Sequence, residues 1–141
     1  MNAISLALLA VLFWGVAPVF DKAGIRDISP ALALTIRSFV VGAAMLIFFL
    51  ATGQSRELAH AKPSSIVYMV LSAVCASLIG QVLYFAALKR GEASTIVPVV
   101  GAYPLVAALL GVLVLGEDVT LFKALGAILV VSGVALLRMQ R

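Results

Sequence analysis

The sequence predicts an all-α polytopic membrane protein, a bundle of five transmembrane helices. Three observations predict it. Hydrophobic residues make up 64% of the 141-residue chain and charged residues only 11%, against about 45–50% and about 25% in a soluble globule. The apolar residues gather into five runs, each close to the roughly 20 residues that cross a bilayer. The charged residues collect between those runs. A mean hydropathy of +1.21 agrees. By length the chain is one domain, residues 1–141.

The first run, about Ala3–Phe20, ends in F-W-G-V-A-P-V-F-D-K-A-G. It lacks a basic leader and a small-x-small cleavage site, so it reads as a retained helix and not a signal peptide. Pro18 removes a backbone donor and is expected to kink this helix near Trp14–Gly15. Asp21 and Lys22 then meet the interface. Ser29 and Pro30 open the second run, about Ala31–Thr52, because serine caps well and proline suits a first turn. Arg37 lies about two turns inside it, roughly 10 Å deep. Two readings stay open for Arg37. Either it snorkels to the headgroups, or it faces the interior and holds an anion, a carboxylate or a carbonyl.

The link Gly53–Ser64 carries Arg56, Glu57, His60 and Lys62 and is expected to be a solvated loop, with His60 a surface histidine. The third run, about Ser65–Leu88, places Ser72, Ala76 and Gly80 four apart, a small-residue strip that lets another helix approach closely. Ser77, Gln81 and Tyr84 fall on a neighbouring polar face. An amide facing lipid is costly, so Gln81 is expected to point inward, either lining a cavity or bonding to another helix.

The fourth run, about Ala93–Leu115, is interrupted in its first half by Pro98, Gly101 and Pro104. A broken helix at membrane depth leaves backbone groups that lipid cannot satisfy, and it is tolerated where it is buried in protein or lines a wet cavity. This run is expected to line a transport path, with Gln81 and Tyr84 as its polar neighbours. The alternative is a simple packing kink. The fifth run, about Val119–Leu137, is apolar from Ala124 onward except for Ser132. Gly126 and Gly133 share a face, which suits a packing or dimer helix.

Net charge is +4, but the basic residues sit at the ends of hydrophobic runs and form no stripe with aromatics, which excludes a nucleic-acid partner. One side of the membrane would carry Arg56, Lys62 and Lys123; the other would carry Lys22, Arg26, Lys89, Arg90, Arg138 and Arg141. Positive charge favours the cytoplasm, so the N-terminus is expected outside and the C-terminus inside. The lone cysteine, Cys75, forms no intrachain disulfide, and no metal pattern or cofactor motif is present. No nucleophile–base set is visible, so no catalytic residue and no enzyme activity are expected. Asp21, Glu92, Glu117 and Asp118 all lie at run ends, whereas proton-coupled pumps commonly relay through buried acids. If protons drive this protein, Asp21 is the carboxylate best placed to couple them.

The stretches F-W-G-V-A-P-V-F-D-K-A-G, S-P-A-L-A-L-T-I-R-S-F, L-Y-F-A-A-L-K-R-G-E-A-S-T-I-V-P-V and Y-P-L-V-A-A-L-L-G-V-L-V-L-G-E, followed by L-G-A-I-L-V-V-S-G-V-A-L-L, occur in that order along nearly the whole chain. Together they resemble the EamA domain of the drug/metabolite transporter superfamily. Members usually carry two such five-helix units in opposite orientations, so this chain resembles the half-sized type. The resemblance implies export of small metabolites or drugs across the inner membrane by alternating access. It implies a cavity walled by the first, third and fourth helices, which here points to Trp14, Pro18, Gln81, Tyr84, Pro98, Tyr103 and Pro104, with Arg37 as a further binding candidate. A single unit would supply both halves by pairing with a second copy, as inverted repeats do. The more distant four-helix small multidrug resistance proteins carry a cation-binding glutamate in the first helix. Aligned on Lys22, that position is Trp14 here, a departure that argues against their mechanism. A non-transporting accessory subunit that packs against another membrane protein is the competing expectation.

Overall fold

The computed structural model describes residues 2–118 and 120–138. Val119, the expected start of the fifth run, and Arg141, counted in the charge balance, lie outside the described residues. Those described form helices joined by short turns, with no strand among them. Four helical stretches are long and apolar enough to cross a membrane: 3–24, 30–52, 63–90 and 93–114. A fifth apolar stretch, 121–136, is shorter. The protein is an all-α polytopic membrane protein. Its contacts divide into two compact units, residues 1–90 and 91–141.

In the first unit, α1 runs Ala3–Gly24. The Asn2 side chain caps it, accepting from the Ser5 backbone N–H at 2.8 Å, which satisfies one orphan donor of the first turn. The helix continues through Pro18; Pro18 offers no donor to the Trp14 carbonyl. Helix α2 runs Pro30–Thr52. Ser29 caps it, with its hydroxyl accepting from the Leu32 N–H at 3.1 Å, and Pro30 takes the first position as its fixed φ allows. Gly53, at φ +66°, ends α2 in the left-handed region.

The link between α2 and the third span differs from the expected loop. It contains a short helix, α3, Ser55–His60, in which the His60 ring Nδ1 lies 2.7 Å from the Arg56 carbonyl. The third span has three parts. Helix α4 runs Pro63–Ser72, a π-helical segment runs Ala73–Gly80, and α5 runs Gln81–Arg90. Gly80 fits the wide turn, since a Cβ there would stand 3.1 Å from the Cys75 carbonyl oxygen. Because Ala76 and Gly80 lie in the π segment, the four-residue spacing with Ser72 no longer follows the α-helical period that defines a common face. Within this unit α2 packs on α5, and α1 touches α5.

In the second unit, α6 runs Ala93–Val100, α7 Tyr103–Leu115 and α8 Leu121–Arg138; α6 packs on α8. The break in the fourth span is the two-residue turn Gly101–Ala102 alone. Pro98 sits inside α6, and Pro104 sits in the first turn of α7, where a missing donor costs little. The turn is bridged by Gly101 N to Val97 O at 2.7 Å, Ala102 N to Val99 O at 3.2 Å and Leu105 N to Ala102 O at 2.9 Å. Far fewer backbone groups are freed than three separate breakers would imply. Gly116 closes α7 at φ +69°, its own N–H donating to the Gly111 carbonyl, and Glu117 N donates to the same oxygen at 3.1 Å, which satisfies one of the acceptors left open at a helix end.

Gly53 and Gly116 both occupy a left-handed conformation that costs an L-residue about 1–2 kcal/mol. Gly53→Ala and Gly116→Ala are each expected to destabilise the protein by that amount in reversible unfolding in detergent. Gly42 lies within α2, where a Cβ meets nothing within 4 Å, so Gly42→Ala is expected to leave stability unchanged or raise it. Equal losses at all three positions would contradict the assigned caps.

Candidate functional site

The hairpin of α1 and α2 brings two charges together. Asp21 precedes the end of α1 by three residues, a rise of about 4.5 Å, and Arg37 lies seven residues into α2, about 10 Å. The arginine side chain spans the difference. Its Nη1 donates to Asp21 Oδ2 at 3.3 Å and Oδ1 at 3.5 Å. Arg37 thus meets a carboxylate of the neighbouring helix. The pair is unevenly wet, with the Arg37 side chain 44% exposed and Asp21 17%.

Beneath the pair lies apolar packing. Ile25, Leu34 and Phe85 form a buried cluster, against which Ala33, Val82 and Tyr84 pack. The Arg37 guanidinium carbon stands 5.9 Å from the Phe85 ring centroid, within the range at which a cation is attracted to a ring face. Tyr84 and Phe85 pack with centroids 5.7 Å apart. The Tyr84 hydroxyl is buried and meets no hydrogen-bond partner among the described residues. Beside the pair, an open cleft of about 340 Å³ is lined by Ala17, Phe20, Asp21, Ile36, Arg37 and Phe85, among others. It offers one ion pair in an otherwise hydrocarbon wall, which is suited to an amphipathic molecule with a polar head.

Two further cations close this end. Lys22 Nζ donates to the Leu88 carbonyl at 2.6 Å, placing an ammonium where the last carbonyls of α5 carry partial negative charge. Lys89 Nζ donates to the Ile28 carbonyl at 2.7 Å, which ties α5 to the turn between α1 and α2.

The residues singled out in the sequence fall in several places. Arg37 and Tyr84 meet at the Phe85 cluster. Pro18 is buried, next to the cleft residue Ala17, while Trp14 is 69% exposed and lies outside the cleft lining. Gln81 is half-buried at the first position of α5, directly after the π segment. In the second unit Pro98, Tyr103 and Pro104 are exposed. Sequence reasoning left Asp21 at the interface and passed over Phe85, Ile25 and Lys22 as parts of a site. The signal for Asp21 was available: a lone acid late in one span and a lone base early in the next belong to one hairpin.

Similarity to known proteins adds the remaining information. The EamA-like transporter family matches residues 1–139. A Sinorhizobium protein described as an uncharacterized transporter is 31% identical over 131 residues, covering 93% of this chain and 92% of its own length. An uncharacterized protein of Methanocaldococcus jannaschii is 30% identical over 136 residues, covering 96% of each chain. An uncharacterized transporter of Archaeoglobus fulgidus is 28% identical over 130 residues, which cover 92% of this chain but 46% of that protein. No solved structure gives a significant match. The match runs the length of the five-helix sequence and two of these relatives carry the name of transporter, so this chain is a membrane transporter belonging to the EamA-like transporter family.

Proposed function

We propose that the protein exports small metabolites or drugs across the inner membrane by alternating access, acting as a homodimer of single-domain units formed by residues 1–141. The observation that carries this reading is the Asp21–Arg37 pair lining an apolar cleft within two helices long enough to span a bilayer. An ionisable residue about two turns inside a span, as Arg37 is, is rare and marks a substrate or ion pathway. A second copy supports the reading because two inverted units meeting at a shared site are a general transporter design. The excess of Lys and Arg at the ends of α1 and α5 favours a cytoplasmic location for that end, with the N-terminus outside.

In the first unit Arg37, Tyr84, Gln81 and Pro18 are the proposed substrate-contacting or path-shaping residues, with Trp14 one turn before Pro18 at the middle of α1. In the second unit Pro98, Tyr103 and Pro104 flank the Gly101–Ala102 turn and are proposed to shape that span. The test is flux of a metabolite panel in proteoliposomes, with a two-unit relative as the positive control. Export by purified protein supports the reading. Silence of this protein alongside an active control would favour an accessory subunit instead.

Two variants refine it. Gln81→Leu is expected to reduce flux several-fold while the yield of monodisperse protein stays the same, and a parallel loss of assembled protein would assign Gln81 to packing. Arg37→Gln is expected to impair anionic substrates more than neutral ones by about tenfold, the equivalent of roughly 1.4 kcal/mol for one charge-assisted hydrogen bond. Flux assays with matched acid and amide forms of one compound measure that ratio, and equal losses would remove Arg37 from the substrate path.

A further inference from the structure

Contacts within residues 1–90 are distributed unevenly. The buried side chains Ile25, Leu34, Phe85 and Leu88 share one end of the unit with three polar links between elements: Asp21 to Arg37, Lys22 to the Leu88 carbonyl and Lys89 to the Ile28 carbonyl. Away from that end the same helices are open. Residues 11–16 of α1, residues 38–48 of α2 and residues 64–80 of the third span are exposed without interruption.

We infer that this clasp of α1, α2 and α5 is a gate closing one mouth of the transport path, and that parting of the Asp21–Arg37 pair releases it. The inference rests on the transport reading above. Three features separate a gate from a fixed joint. First, the Asp21–Arg37 link is open to water. The guanidinium meets Asp21 through Nη1 alone, at 3.3 and 3.5 Å, and is 44% exposed, so solvent can replace the contact. Secondly, the clasp adjoins the cleft that substrate would occupy, and Asp21 and Arg37 belong to both. Thirdly, two of the clasped helices carry an irregular backbone next to the clasp. Pro18 leaves a missing hydrogen bond in α1 one turn before Asp21 and Lys22, and the π segment Ala73–Gly80 leads directly into α5. Proline and π turns are where helices bend, so α1 and α5 can each swing without unwinding the rest of the span.

Ala33 provides the reporter, since it lines the cleft and packs against the buried cluster. Ala33→Cys in a Cys75→Ala background is reconstituted in nanodiscs, where both membrane faces are open to reagent, and labelled with a membrane-impermeant maleimide. Parent protein is expected to label slowly. Arg37→Gln is expected to accelerate labelling about fivefold, as loss of one partly exposed ion pair allows. The double variant Lys22→Gln, Lys89→Gln is expected to accelerate it independently of the pair, and the charge swap Asp21→Arg, Arg37→Asp to restore slow labelling. Rates within about twofold of the parent for both Arg37→Gln and the lysine pair overturn the gate, as does a swap that labels as fast as Arg37→Gln. The readout uses no substrate. A protein that transports while labelling stays constant loses the gate alone, and one that moves nothing while labelling responds loses the transport reading alone.

Discussion

The pairing of Asp21 with Arg37 is the interaction on which the first unit depends. Arginine at the centre of a spanning helix costs about 2.5–3.5 kcal/mol even on insertion scales that allow snorkelling. A lone carboxylate beside hydrocarbon is penalised in the same way. Joined at 3.3 Å, the two form a neutral unit that the end of a span can accommodate. Because the guanidinium is 44% exposed, water can take the place of the carboxylate when the two part, so the pair holds the hairpin without locking it. The constraint works on the backbone too. It ties α1 to α2 at the end of the hairpin where Ile25 and Leu34 pack with Phe85 of α5.

The irregular backbone obeys a second constraint, that lipid satisfies no peptide group. The fourth span meets it with an economical break. Its two-residue turn keeps three bridging hydrogen bonds, and Pro104 lies where the helix start needs no donor. The third span meets it differently: a π turn keeps the carbonyls paired while changing the rotation of α5 relative to α4. Gln81 and Tyr84 therefore occupy directions that the α-helical period alone does not set.

How much of this was legible in the sequence depends on the range of the interaction. Caps at Asn2, Ser29 and Gly53 are local chemistry, and the Ser29–Pro30 start was readable from two residues. The spans were readable from hydropathy over a window of about 20 residues. The order of the family motifs along the chain gave the transporter class. The π segment was not readable, because V-C-A-S-L-I satisfies an α-helix equally well and only the identity of the bonded carbonyl separates the two. Helix α3 was hidden in a stretch too short for a periodic signal. The Asp21–Arg37 contact lay between, since it required treating two residues 16 positions apart as neighbours across a hairpin. Phe85 as a partner for Arg37 required a third element, which no spacing within the sequence encodes.

The small number of buried side chains is itself a consequence of the solvent. In water, a unit with four buried large apolar residues would not hold, because burial of apolar area is the main favourable term. In a bilayer, tails are as apolar as leucine, and helices gain little by hiding Leu or Val from them. The exposed Phe13, Phe39 and Phe48 therefore need no partner from this chain. What remains to join helices is close packing and polar contact, and residues 1–90 place both at one end: a cluster around Phe85, an ion pair above it and two lysines on backbone carbonyls. A joint made this way owes less to apolar burial than a soluble core does, and its polar half can be exchanged contact for contact with water or with the polar head of a cargo. The same economy of buried area that would leave a soluble domain unfolded leaves a membrane helix hairpin free to open and close.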